Sequence, residues 1–227
     1  MTAPKKTREA PEEGLRERNK RDKRERLRAA AWELFTTIGY EATTTRAIAE
    51  RAGIAAGTVF LYAKDKPDLL FLVFEERLAR VTDEAFRTLP RGLSFTEEIL
   101  HVFRSVFVMY SESVDVGRQF VKELPGADGP NAERVNALTV VFLQRVAALV
   151  EKAMERGEIR RDVAPLLAAQ AIFALYFMAL LSWLAGFANL EGAFDATLAP
   201  SLELLMNGMR PAADVTASRT GAKGRRR

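Results

Sequence analysis

Residues 44–63, Thr-Thr-Arg-Ala-Ile-Ala-Glu-Arg-Ala-Gly-Ile-Ala-Ala-Gly-Thr-Val-Phe-Leu-Tyr-Ala, constrain this chain more than any other stretch. Counted from Thr45, apolar residues fall at the fourth, fifth and eighth places (Ile48, Ala49, Ala52) and a glycine at the ninth (Gly53). Apolar residues return at the tenth and fifteenth (Ile54, Val59). This spacing predicts a helix-turn-helix. A short first helix brings the small Ala49 against the helix it crosses. The chain then turns at Gly53, which takes the left-handed conformation at no steric cost. The second helix starts near Ala55 and sinks Val59 into the same small core, leaving Gly57, Thr58, Leu61 and Tyr62 on outward faces. In DNA-binding units of this kind that second helix lies in the major groove. An ordinary helical hairpin can share the glycine turn and is the competing reading.

Charge narrows the choice. The net charge of +4 is unevenly spread. Residues 1–75 carry 15 Lys/Arg against 12 Asp/Glu, and residues 210–227 carry 6 against 1, so the middle is acidic. A basic start and tail around an acidic body suit a polyanion-binding end and a separate regulatory body. Nearly half of the 227 residues are apolar, enough for a substantial core. With no cysteine, disulfides and thiolate-held metals are excluded. Met1–Arg26 is almost continuously polar, which predicts no signal segment there and a cytoplasmic protein.

Residues 1–19 mix charges of both signs with Pro4, Pro11 and Gly14 and are expected to form a mobile basic arm. From Lys20 the pattern is helical: Leu27, Ala30, Ala31, Leu34, Phe35 and Ile38 recur at three- and four-residue steps until Gly39. Thr43 or Thr44 caps the next helix. Lys64-Asp65-Lys66-Pro67-Asp68 supplies an aspartate cap and a first-turn proline for a fourth helix reaching about Thr88.

Gly39-Tyr40-Glu41-Ala42-Thr43-Thr44-Thr45, Ile48-Ala49-Glu50-Arg51-Ala52-Gly53-Ile54, Gly57-Thr58-Val59-Phe60 and Lys64-Asp65-Lys66-Pro67-Asp68-Leu69 resemble the TetR family of transcriptional regulators, over about residues 21–80. The resemblance implies an all-α chain of about nine helices. Residues 20–80 would be the DNA-binding domain, 81–210 a ligand-binding and dimerisation domain, and 211–227 a disordered basic tail. It also implies a repressor that binds a pseudo-palindromic operator as a dimer and is released by a hydrophobic or aromatic small molecule. By position, the family's DNA contacts fall on Thr45, Arg46, Ala55, Ala56, Gly57, Thr58, Phe60, Leu61, Tyr62 and Lys66. Of these, Lys66 matches a phosphate-binding lysine. Ala55 stands in place of the common Ser cap, Ala56 in place of Lys or Arg, and Phe60 in place of a phosphate-binding Tyr. Ala63 replaces a packing Phe. These changes remove hydrogen-bond donors, so base reading by Ala55 and Leu61 is apolar, for example to thymine methyls. They also keep open a second reading, a helical small-molecule binding protein that has lost specific DNA binding.

The body reads as helices throughout. Ser94-Phe95-Thr96-Glu97 is a capping box opening a helix over 96–113. A shorter helix over 116–124 ends at the break Pro125-Gly126-Ala127-Asp128-Gly129-Pro130. A long helix covers about 131–156, and Asp162 is expected to cap the next. Residues 166–190 carry no charge. They are long enough to span a bilayer. Gln170 and Asn189, the many alanines and the lack of a second span oppose that, and a helix apolar all round can be buried by protein on every side. In the family resembled, the last two long helices pair across a two-fold axis, which implies a homodimer seam and no membrane. Pro200 kinks the final helix or marks its start.

Catalysis has no support in the sequence: His101 is the only histidine and no nucleophile–base pattern surrounds it. One His and no Cys leave no metal site, and no cofactor motif is present. The body is instead rich in aromatics. The resemblance implies that some line an effector pocket, with His101, Arg104, Phe107, Tyr110, Gln119, Phe120, Asn136, Gln170, Phe173, Tyr176 and Phe177 as the candidates.

Overall fold

The structure, a computed structural model, describes residues 14–210, and they are helical with no strand among them. The helices are α1 (Leu15–Thr37), α2 (Thr45–Arg51), α3 (Ala56–Val59), α4 (Lys66–Arg87), α5 (Phe95–Ser111), α6 (Val114–Glu123), α7 (Pro130–Glu155), α8 (Pro165–Leu184), α9 (Leu190–Ala193) and α10 (Ala199–Met209). The chain forms two units. The first, the head, runs to Glu76 and adds Lys122–Val135; the second, the body, holds Arg77–Val121 and the chain from Asn136 on. The sequence places a boundary near residue 80 but gives no sign that the α6–α7 connection belongs with the N-terminal helices.

In the head, α1 turns its apolar stripe inward, with Leu27, Ala31 and Phe35 buried, and Ile48, Ala49, Val59 and Ala63 fill the same core. Helix α1 begins at Leu15, so the last five residues of the expected arm are helical. The rest of that arm, and the basic tail beyond Arg210, lie outside the described residues. Thr44 caps α2 by accepting from the Ala47 N–H at 3.1 Å. Thr43 is buried and donates to the Gly39 carbonyl at 2.7 Å. Asp65 caps α4 through the Asp68 N–H at 2.8 Å.

In the body, the capping box at Ser94 and Glu97 starts α5 as the sequence predicts. Glu158 adds a second cap, accepting from the Phe95 N–H at 2.7 Å. Helix α8 opens without a side-chain cap at Ala164; Asp162, expected as the cap, stands two residues before that position and pairs with Arg160 at 3.2 Å. Its C-terminus is closed by Arg118, whose Nε donates to the Leu184 carbonyl at 2.6 Å. Between α9 and α10 the helix widens to a π-helical turn over Phe194–Leu198. Pro200, in the first turn of α10, has no N–H and its ring crowds the carbonyl four residues back. The preceding turn loosens, so the Ala199 N–H bonds the Phe194 carbonyl five residues back, and Thr197 Oγ1 donates to the Gly192 carbonyl at 3.0 Å. Pro200 thus stands in the first turn of α10, as one of the two sequence readings expects, and the π turn joins that helix to α9 without a break.

Candidate functional site

The turn between α2 and α3 is built by Gly53 at φ +63°. The Ile54 N–H bonds the Ala49 carbonyl and the Gly53 N–H the Glu50 carbonyl, both at 3.0 Å, the paired closure of a Schellman end. Arg26 of α1 donates to the Gly53 carbonyl at 3.0 Å, and Arg51 pairs with Glu33 of α1 at 2.7 Å. Helix α3 is thus held at its entry by its two neighbours. Its outward surface is Ala55, Ala56 and Gly57, all exposed, followed by Phe60 (62 % exposed) and Leu61 (79 %). The two are adjacent in the chain and neither is covered by the head. Arg46 is exposed at the start of α2, while Thr45, Thr58 and Tyr62 are half-buried beside it.

Lys66, expected at phosphate, also has partners within the head. Its Nζ donates to the carbonyls of Tyr40 and Glu41, at 3.1 and 3.3 Å, and lies 4.4 Å above the Tyr40 ring. It locks the α1–α2 link onto α4. Burial, then the carboxylates of Glu123, Glu41 and Asp65, push the Tyr40 phenol well above its ordinary pKa.

A buried polar knot fixes the other end of α3, and sequence reasoning missed it. Asp68 of α4 is fully buried, and Asn131 of α7 is 1 % exposed. One carboxylate oxygen of Asp68 accepts from the Asn131 and Ala132 N–H groups at 3.0 and 3.3 Å, capping α7 from another helix. The other accepts from the Lys64 N–H and Asn131 Nδ2, each at 3.0 Å. Asn131 Nδ2 also donates to the Tyr62 carbonyl just past α3 at 2.8 Å, and Asn131 Oδ1 accepts from Arg24 of α1 at 3.1 Å. Arg24 also pairs with Glu75 at 2.7 Å. One asparagine therefore ties α1, α3 and α4 together. Gly129, at φ +115°, permits the approach: a Cβ there would sit 2.8 Å from the Asp68 carboxyl carbon. The usable signal was an aspartate inside the first turn of an apolar helix, where burial demands donors.

The body holds a continuous run of rings. Phe103 stacks on Tyr176 (4.4 Å, 6°), and Phe107 stacks on Trp183 (5.5 Å, 10°) and meets Phe194 edge-on (5.3 Å, 81°). Phe142 links Phe103, Phe86 and Phe173, and Phe173 stacks on Phe177. Burial raises the Tyr176 and Tyr110 phenols, so both stay neutral. Of the expected pocket residues, Phe107, Phe173, Tyr176 and Phe177 join this run, and Tyr110 and Phe120 pair beside it at 6.5 Å. His101 and Gln119 are half-buried. Arg104, Asn136 and Gln170 are exposed and lie off the run; Arg104 instead pairs with Asp195 at 2.9 Å and covers the Phe194 ring. Helix α8 is long and apolar enough to cross a membrane by length and composition. One face of it is buried, through Ile172, Tyr176, Ala179 and Trp183, and the opposite face exposes Leu167 (66 %) and Met178 (64 %).

A head whose helix-turn-helix is braced at both ends, joined in one chain to a helical body, defines the class of helix-turn-helix DNA-binding proteins. The model of the bacterial regulatory proteins of the tetR family matches residues 27–73. The fatty acid metabolism regulator protein of Bacillus subtilis is 23 % identical over 194 residues, 85 % of this chain and 98 % of that protein. The structure of Thermus thermophilus FadR, a TetR-family repressor in complex with lauroyl-CoA, is 27 % identical, covers 84 % of this chain and 96 % of its own, and superposes with a TM-score of 0.66. Bacillus subtilis FadR in complex with stearoyl-CoA is 22 % identical and superposes at 0.64, covering 82 % of this chain and 99 % of its own. Residues 27–73 thus carry the DNA-binding domain of the tetR family of bacterial regulatory proteins, and the chain shares its all-helical fold with TetR-family repressors.

Proposed function

We propose that this regulator is a cytoplasmic repressor that binds a pseudo-palindromic operator as a homodimer and releases it on binding a long-chain acyl-CoA. The observation that carries the effector class is the run of rings from Phe86 to Phe194, an apolar interior suited to an alkyl chain and poor in groups that would orient a polar molecule. Two relatives that match nearly end to end were solved with acyl-CoA bound, which supports the same choice.

The DNA contacts are assigned to the exposed face of α3 and the start of α2. Phe60 and Leu61 offer apolar contact to thymine methyls, Gly57 allows close approach of the backbone, and Arg46 and Thr45 face phosphate. Lys66 acts first through the Tyr40 and Glu41 carbonyls, with its remaining donor left for phosphate. The dimer seam is assigned to the outward apolar faces of α8 and α10, where Leu167, Met178 and Leu204 (75 % exposed) lie. A surface of this kind is rarely left to water. A two-fold partner offers the same patch in return.

Selection of randomised duplex DNA on the purified protein tests the reading. A pseudo-palindrome with half-sites about one helical turn apart, bound by a dimer, is expected. Enrichment of a single half-site bound by a monomer would overturn the dimer assignment.

A further inference from the structure

The N-terminal third of α1 contributes no buried side chain to the head. Every residue from Gly14 to Lys23 is exposed, and the family match begins only at residue 27. This segment is nonetheless helical and basic, with Arg16, Arg18, Lys20, Arg21 and Lys23 against Glu17 and Asp22. Asp22 lies 3.6 Å from Arg26 and so faces away from Arg16, Lys20 and Lys23.

The arrangement of charge is more informative than its sum. Arg16, Lys20 and Lys23 stand at i, i+4 and i+7 and form one stripe. Continued by four residues, the stripe reaches Leu27 and then Ala30, Ala31 and Phe35, the buried face of the helix. One face of α1 is therefore apolar where the head covers it and cationic where nothing does. Arg16, Lys20 and Lys23 have no carboxylate partner among the described residues, so their charge is available.

The position of the overhang selects the partner. Arg26 anchors α1 to the Gly53 carbonyl, in the turn that leads into α3. The first residues of a recognition helix face the base edges, so this turn sits at the DNA surface. From Arg26 back to Leu15 the helix extends about 16 Å, more than two turns beyond that anchor. We propose that Arg16, Lys20 and Lys23 form a second DNA-contacting element, a basic rod that lies on the phosphates flanking each half-site. The proposal rests on the DNA-binding reading above and adds a contact outside the operator. Its role is affinity and register, because phosphate contacts position a protein without reading sequence.

The test compares the full-length protein with the triple variant Arg16→Gln, Lys20→Gln, Lys23→Gln, which preserves helix propensity. Three probes are used: the selected operator with ten-base-pair flanks, the same operator trimmed to its palindrome, and a random-sequence duplex. On the flanked operator the variant should lose roughly two to three units of the log-affinity versus log-salt slope per protomer. Its affinity at physiological salt should fall about tenfold or more. On the trimmed operator the two proteins should bind alike. An unchanged slope on the flanked probe, or an equal loss on the trimmed one, overturns the rod. A wild type that selects no operator but loses slope on random duplex when the stripe is removed keeps the rod and sinks the specific-operator reading. A wild type that binds no duplex sinks both.

Discussion

The head and the body share apolar cores but differ in what is buried with them. In the head, the deepest side chains include Asp68 and Asn131, and every donor they face is matched. In the body, the same depth is occupied by Phe103, Phe107, Phe120 and Phe194, ring against ring. Hydrogen bonds are directional, so a fully satisfied buried network permits one arrangement of α1, α3 and α4. Apolar contacts are weakly directional, and rings can part for an alkyl chain while keeping most of their burial. The contrast suits a unit that must present one surface to DNA and a unit that must admit a ligand.

The largest expected effect tests the body. Phe107→Ala removes the ring that stacks on Trp183 and meets Phe194, and should cost about 3–5 kcal/mol in urea denaturation. A cost under about 1 kcal/mol would mean that the run is loosely packed before any ligand enters. Asp68→Asn tests the head with almost no change of shape. It sets an amide NH₂ against a cluster of donors and should cost about 2–3 kcal/mol, read as lost hydrogen-exchange protection in residues 55–66 and at the start of α7. A neutral Asp68→Asn would erase the distinction between the two interiors. Gly129→Ala forces a Cβ toward the Asp68 carboxyl at a positive φ and should cost about 1–3 kcal/mol.

The smallest effect concerns pH. Hydrogen bonds from the Ser94 hydroxyl and N–H hold Glu97 below its ordinary carboxyl pKa. A carboxylate depressed in the folded state adds stability above its unfolded pKa and loses it as pH falls through the folded value. The melting-temperature gap between wild type and Glu97→Gln should therefore be open near neutral pH and close in acid. A gap that widens in acid contradicts the capping assignment.

What the sequence revealed, and what it hid, follows the same contrast. The helix-turn-helix was legible because its constraints are local: Ile48, Ala49, Gly53 and Val59 lie within one short stretch. The capping box at Ser94 was legible for the same reason. Asp68 and Asn131 are far apart in the chain, and only the fold reveals that each completes the other. Lys66 matches a phosphate ligand by position, and the sequence did not show that the link from α1 to α2 also brings it two carbonyl acceptors. In α8 an all-apolar sequence concealed the phase of the helix, so Gln170 was expected inside and faces out. Pro200 suggested a kink or a start; it falls in the first turn of α10, and the wider turn before it was not legible.

The central claim is that occupancy of the aromatic body by an acyl chain weakens DNA binding by the head. The most direct measurement is fluorescence anisotropy of the selected operator duplex bound to the protein, titrated with lauroyl-CoA and, in parallel, with free CoA. Lauroyl-CoA should raise the apparent Kd for DNA by about tenfold or more while free CoA leaves it unchanged. Operator affinity that stays constant while lauroyl-CoA binds, or that falls equally with free CoA, contradicts the account.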